Sequence, residues 1–323
     1  MTGGADAMGI QAVLLAGDRG HSRSVKGRSK AFVNVRGKPM LVHVLETLLH
    51  TPEVTEVFVV ADAIRLEKVL ADFGCLELAA AASCPIHVVP QRESLLENVW
   101  NAFLRTLPPR EDPDHAVLIV PSDIPLVVPE ELSAFLAAAR RADADHVVGL
   151  TPESALELFA PTDTAPGVRM ACFNLAEGRL RQNNLNWVRP LRMGHRQYIQ
   201  DMYENRYQKE LGATLRLAVR IVRKEWRNLW VLFPYLLMHL AGVLDRRGYR
   251  PASDWVRSFV SLRTVERGIG AMLRTRFATV ETAFGGAALD VDNDEDLDVV
   301  DKMIEPWKAM QVRNARLAAG GRS

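Results

Sequence analysis

Cysteine is scarce. Cys75, Cys84 and Cys172 are the three in 323 residues, too few for a disulfide framework and without metal-ligand spacing. They are expected to be buried thiols. A surplus charge is missing too: 40 Lys and Arg against 39 Asp and Glu leave a net charge of +1. That balance excludes a general polyanion-binding surface, so no nucleic-acid partner is expected. Long apolar runs are nearly absent. The exception, Leu229 to Leu244, is 16 residues without a charge, short for a bilayer span and interrupted by Pro234, His239 and Gly242. The opening MTGGADAMG has neither a basic n-region nor an apolar h-region, so no secretory signal and a cytoplasmic location are expected. Core-forming residues are not lacking. At 48% hydrophobic and 24% charged, the chain can build one large domain or two modest ones.

The chemistry starts at Ala12–Leu41. A short apolar run, Ala12-Val13-Leu14-Leu15, reads as a strand buried on both faces and breaks into Ala16-Gly17-Asp18-Arg19-Gly20. Arg23, Lys26, Arg28 and Lys30 follow with no acid among them. A glycine-containing loop at a strand end lets backbone N–H groups approach phosphate oxygens, and nearby cations neutralise their charge. The stretch therefore reads as a polyphosphate cradle. It is not Walker A, because Gly37-Lys38 is followed by Pro39. Nor is it the dinucleotide fingerprint, because Gly17 and Gly20 stand alone.

Downstream, apolar runs alternate with helical periodicity. A helix from Met40 is stopped by Pro52, and Val57–Val60 reads as a strand. Ile64–Phe73 is helical, Ile86–Val89 is a strand, and Glu97–Leu107 is a helix ended by Pro108-Pro109. Ala116–Val120 is a strand, and a helix opens at Pro129 and runs to about Ala142. This pattern predicts an α/β fold, a Rossmann-like, mostly parallel sheet sandwiched by helices, with ligands at the carboxyl ends of its strands.

Three loops stand at those ends. Gln91, Ser94 and Asn98 carry groups that can meet a base edge, although Ser94 with Glu97 also fits a plain capping box. Asp123, in Ser122-Asp123-Ile124-Pro125-Leu126, follows a buried strand and is placed to ligate Mg²⁺ carried by a triphosphate. Asp290, Asp292 and Asp294 have the one-three-five spacing of an EF-hand, but Glu295 occupies the position where that turn needs glycine. The alternative is a strand-to-helix junction with Asn293 as N-cap and Asp294, Glu295 and Asp296 in the first turn. Gly167–Leu175 is expected as a central strand, and the amide-rich Leu180–Asn186 as either an acceptor-binding segment or a plain loop.

Taken together these segments resemble the MobA-like NTP transferases, of the GT-A-like nucleotidyltransferase fold. Leu15-Ala16-Gly17, Gly20, Arg23, Lys30 and Gly37-Lys38-Pro39-Met40-Leu41 follow the signature of that family in order. Asp18 departs from it, standing where a second glycine is usual. The 91–98 loop, the Asp123 segment and the Asp292 junction match three further motifs, so the likeness spans residues 10 to 130 and 283 to 305. The resemblance implies a Mg-dependent nucleotidyltransferase, with Mn²⁺ as an alternative cofactor. In this reading Leu15, Ala16, Gly17, Gly20, Arg23, Lys30, Gln91, Ser94 and Asn98 bind the triphosphate, GTP or CTP. Asp123 and Asp292, with Asp290 beside it, hold the metal. A phosphorylated small-molecule acceptor attacks the α-phosphorus and expels pyrophosphate, while Arg23, Lys30 and Asp123 serve catalysis. An acceptor phosphate needs no general base, consistent with motifs that contain no histidine. A glycosyltransferase using a nucleotide-sugar is the runner-up, although Asp123 lacks the Asp-x-Asp pattern. A nucleotide-binding regulatory protein with a decayed site is the reading from another class.

The catalytic domain is expected over 9–186 plus 281–312, with 187–280 as a helical insertion. Inside it Arg216, Arg220, Arg223 and Arg227 form one cationic helix stripe. Together with the apolar stretch it sets up peripheral membrane contact through 214–244 as one expectation and burial as the other. Homo-oligomerisation is left open.

Overall fold

A computed structural model describes residues 9–18, 24–25, 27–197, 236–237, 240–244 and 247–320. Gly20 and Arg23 of the phosphate loop, the four stripe arginines and most of 214–244 lie outside the described residues.

β1 (Ile10–Leu15) is the hub of the main sheet. After it come two small hairpins, β2 (Ser24–Val25) with β3 (Arg28–Ser29) and β4 (Asn34–Val35) with β5 (Lys38–Pro39). α1 (Met40–Leu49), β6 (Val54–Ala61), α2 (Ala63–Asp72), α3 (Cys75–Ala81), β7 (Ile86–Pro90), α4 (Leu95–Thr106) and β8 (Val117–Pro121) then alternate as the sequence periodicity predicts. α5 (Pro129–Arg141), β9 (His146–Pro152), α6 (Glu153–Leu156), β10 (Phe173–Leu175) and β11 (Gly178–Val188) follow. The chain closes with α7 (Arg250–Arg257), α8 (Leu262–Leu273), β12 (Phe277–Glu281) and α9 (Asp294–Gly320). The sheet order is β12-β9-β11-β8-β1-β6-β7, and β10 pairs with β11 outside that path. β1 pairs in parallel with β6 and β8, β6 with β7 and β9 with β12, whereas β11 runs antiparallel between β8 and β9.

Strand alternation sends β1 side chains to opposite faces. Ala12 and Leu14 pack on one face with Leu45 and Leu48 of α1, Leu66 of α2 and Phe135 of α5. Val13 packs on the other with Phe58, Val60 and the α4 residues Ala102 and Phe103. Burial on both faces is what a continuous apolar run in a parallel strand requires. α9 lies outside this sandwich. Its Leu297, Val300, Ile304 and Trp307 join Val25, Val33, Val35, Leu126 and Phe159 in a separate cluster that also contains Leu289 and Val291. That packing carries the segment after β12 back to the end of β8.

Two expectations are corrected here. The central strand is not 167–175, where only Phe173–Leu175 is strand and pairs at the margin. It is β11, whose amide-rich sequence suits a loop by composition. The amides are accommodated by a register break between Gln182 and Asn186. Asn183, fully buried, accepts from the Leu185 N–H and donates to the Thr151 hydroxyl, and Asn184 donates to the Ala287 carbonyl. Gly149 of β9 makes room, since a Cβ there would fall 2.1 Å from Asn183 Oδ1. Composition reads side chains one at a time, whereas a strand forms wherever buried amides find partners across the ladder.

No helix among the described residues is long and apolar enough to cross a membrane.

Candidate active site

The carboxyl ends of β1, β6, β7 and β8 form one edge of the sheet. The Ala16 N–H donates to the Val60 carbonyl and the Ser122 N–H to the Leu15 carbonyl, which fixes the start of the loop after β1 between its neighbours. Ala16 is buried and Gly17 exposed. A Cβ on Gly17 would lie 3.1 Å from Gln91 Oε1 and 3.3 Å from Asn98 Nδ2, so the loop rests on those two amides. Gln91 and Asn98 are themselves buried, and Asn98 Oδ1 accepts from the Arg92 N–H at 2.5 Å. Ser94 is the N-cap of α4, with both bonds of its capping box to Glu97 present. These three side chains are brought together at the head of α4, and their observed hydrogen bonds run to the protein.

Beyond the loop, Lys30 opens a 3-10 turn (Lys30–Phe32) and points across to the acids. Its Nζ lies 2.5 Å from Asp292 Oδ1 and 3.4 Å from Asp123 Oδ2. Asp123 follows β8, and its carbonyl accepts from the Val291 N–H at 2.9 Å. This one backbone bond joins two acidic segments that are distant in sequence. Asp123, Asp290 and Asp292, all partly buried, each offer a carboxylate oxygen within 4.8 Å of the others. Burial pushes the Asp123 carboxyl above its ordinary range, Lys30 opposes that shift, and Asp290 and Asp292 add to it.

The junction after Asp292 is a helix N-terminus, as its sequence suggests. Asn293 Oδ1 accepts from the Asp296 N–H at 2.8 Å, and Asp294, Glu295 and Asp296 fill the first turn of α9. Asp290 is held from β11, where Arg181 Nη2 donates to its Oδ1 at 2.9 Å and Nε donates to the Ala288 carbonyl at 2.9 Å. A third Arg181 bond reaches the Ala171 carbonyl. Behind the acids, Glu131 is 0% exposed and accepts from the Ala287 N–H, with burial pushing its carboxyl up to about 8.

Arg181 and Glu131 carry no sequence signal of these roles. Their partners lie 109 and 156 positions away, and nothing in a strand arginine or a helix glutamate announces them.

Fold and site define a class: an α/β protein with a glycine-containing loop after its first strand and a carboxylate trio, met by a lysine, at the same sheet edge. The chain belongs to the MobA-like NTP transferase domain family, whose model matches residues 12–215. It is 33% identical over 129 residues to the bifunctional protein GlmU of Halorhodospira halophila, covering 40% of this chain and 24% of that one. It is 26% identical over 140 residues to the 2-C-methyl-D-erythritol 4-phosphate cytidylyltransferase of Chlamydia caviae, covering 43% and 57%. The chain thus spans about a quarter and somewhat over half of these two relatives. A hypothetical transferase from Thermus thermophilus shares the fold, with a TM-score of 0.56 and 22% identity over 90% of this chain and 100% of that one.

Proposed function

We propose that the protein is a nucleotidyltransferase that moves a nucleoside monophosphate from a nucleoside triphosphate to a phosphorylated small molecule, releasing pyrophosphate. The observation that carries this reading is the meeting of Asp123, Asp290 and Asp292 with Lys30 beside the β1 loop.

The donor set fits a hard divalent cation. Three carboxylates each offer an oxygen within 4.8 Å of the others beside the Lys30 ammonium, and every offered ligand atom is oxygen. Asp123 and Asp292, with Asp290 beside them, would hold Mg²⁺ or Mn²⁺. Such an ion would offset the triphosphate charge and polarise the α-phosphate. The Ala16–Asp18 loop would lie beside the phosphates, its Ala16 and Asp18 N–H groups being held by the Val60 carbonyl and the Gln91 amide. Lys30, beside Asp123 and Asp292, would supply positive charge to the leaving pyrophosphate. An acceptor phosphate oxygen forms the new bond to the α-phosphorus on the side opposite the departing pyrophosphate oxygen, and no protein base has to remove a proton. The name of one similar chain, a 2-C-methyl-D-erythritol 4-phosphate cytidylyltransferase, supports a phosphorylated polyol as one acceptor to try.

The experiment is pyrophosphate release with GTP, CTP, ATP and UTP against a panel of sugar and polyol phosphates, with Mg²⁺ and with chelator. Metal-dependent release from one triphosphate and acceptor pair is the expected result. Transfer of sugar from a nucleotide-sugar to an acceptor, with release of the nucleoside diphosphate and no pyrophosphate release from any triphosphate, would overturn it.

A further inference from the structure

Asp18 is the residue that a phosphate loop should not contain, yet it is firmly anchored. Its N–H donates to Gln91 Oε1 at 2.8 Å, and Gln91 Nε2 donates back to Asp18 Oδ1 at 2.8 Å. Gln91 is 8% exposed, so its amide needs protein partners, and Asp18 satisfies both ends of it. The other carboxylate oxygen, Oδ2, accepts from Arg65 Nη1 at 3.0 Å. Arg65 belongs to the first turn of α2, and its guanidinium lies over the Phe32 ring, 4.1 Å from the centroid. Phe32 ends the 3-10 turn that begins at Lys30. Arg65 therefore bridges the loop and the element that carries the lysine. Asp18 is not part of the trio that could hold a metal.

We propose that Asp18 is a positioning residue that clamps the phosphate loop onto Gln91, and that Arg65 is a counter-charge that helps to make an acid tolerable beside a triphosphate. The proposal rests on the nucleotidyltransferase reading for its ligand but not for its clamp. One oxygen of the carboxylate shapes the loop, and the other is neutralised by the guanidinium. The two tasks are separable because asparagine preserves the first and removes the need for the second. Loss of the clamp leaves a buried amide hydrogen without an acceptor, and one such bond is worth up to about tenfold in binding. An uncompensated carboxylate near the phosphates repels them in a salt-dependent way.

The test has two arms. In the first, amide hydrogen exchange of residues 16–18 and 91 is followed without any nucleotide in wild type, Asp18→Ala and Asp18→Asn. Faster exchange in Asp18→Ala and recovery in Asp18→Asn are expected, and wild-type exchange in Asp18→Ala would overturn the clamp. In the second, triphosphate KM and kcat are measured at low and moderate salt for these variants, Arg65→Met and the double variant Asp18→Asn/Arg65→Met. Asp18→Ala should raise KM about tenfold with a smaller effect on kcat, and Asp18→Asn should recover most of that loss. Arg65→Met should raise KM most at low salt, and the double variant should remove the rise. A KM defect that persists in the double variant would show that Arg65 meets the triphosphate itself and would overturn the counter-charge. If the wild-type chain turns over no triphosphate, the enzyme reading fails, while the exchange arm still decides the clamp.

Discussion

Two clusters of charge sit at opposite ends of the same sheet. At the carboxyl ends, Asp123, Asp290 and Asp292 crowd to within 4.8 Å of one another beside Lys30 and Arg181. At the amino ends, Asp145 meets Arg276 through both carboxylate oxygens at 2.8 Å, and Arg189 and Arg192 also pair with it. Asp143 and Asp114 complete that set, which makes three acids for three arginines. The same residue type responds in opposite directions. The Arg276 guanidinium holds the Asp145 carboxyl below its usual range despite burial, whereas burial pushes Asp123 up despite Lys30. A balanced cluster ties strand starts together and asks for nothing more. A cluster in which three carboxylates crowd on one another offers a cation its ligands, and that crowding separates a candidate binding site from a staple.

The comparison can be broken at several points. The largest effect is expected from Asp123→Ala, which should leave the fold intact and abolish metal-dependent pyrophosphate release. Loss of a metal ligand costs several kcal/mol of transition-state stabilisation, so retention of more than about a tenth of wild-type turnover would remove Asp123 from the site. Asp292→Ala should behave alike. If Asp290→Ala proves the more damaging change, the second ligand is Asp290.

Lys30→Ala should be the next largest. It should lower kcat by about 100-fold and raise triphosphate KM less, because its charge matters most as negative charge moves onto pyrophosphate. An unchanged kcat with a raised KM would reduce Lys30 to ground-state binding.

Asp145→Asn probes the other cluster and should do the reverse, lowering unfolding free energy by about 1–3 kcal/mol in urea titration while kcat stays near wild type. Because the folded state depresses the Asp145 carboxyl, its stabilisation is present above the unfolded carboxylate range and is lost as pH falls through the folded value. Acid sensitivity below about pH 4 should therefore weaken in the variant. A loss of turnover at unchanged stability would erase the distinction between the two ends.

The last prediction concerns Glu131, which lies behind the acidic loop and bears on stability rather than on turnover. Its carboxyl is raised from 4.5 to about 8, so the folded state binds a proton more tightly than the unfolded chain. Stability should then fall as pH rises from about 4.5 to about 8 and level off above that. Glu131→Gln should flatten this slope while preserving an acceptor for the Ala287 N–H. A variant with the wild-type pH profile of unfolding would show that Glu131 is not the group responsible.

The sequence by itself determined the alternation of strands and helices, because buried parallel strands need continuous apolar runs and their helices need one apolar face. It also marked the Ser94 and Asn293 caps, since a cap is a local bond three residues long. It marked Asp123, Asp290 and Asp292 as acids at element ends. Only the tertiary structure decided that these acids meet, through α9 packing on Val33, Val35 and Leu126 and through the Val291–Asp123 backbone bond. It also decided that the asparagine-rich segment is the central antiparallel strand, because the acceptors that satisfy its amides lie on β9 and on the segment after β12. And it assigned Asp18 its partners, Gln91 at 73 positions and Arg65 at 47. Local spacing carries hydrogen bonds made within a turn. Charge compensation acts through space, so the task of an acid depends on which cations the fold delivers to it.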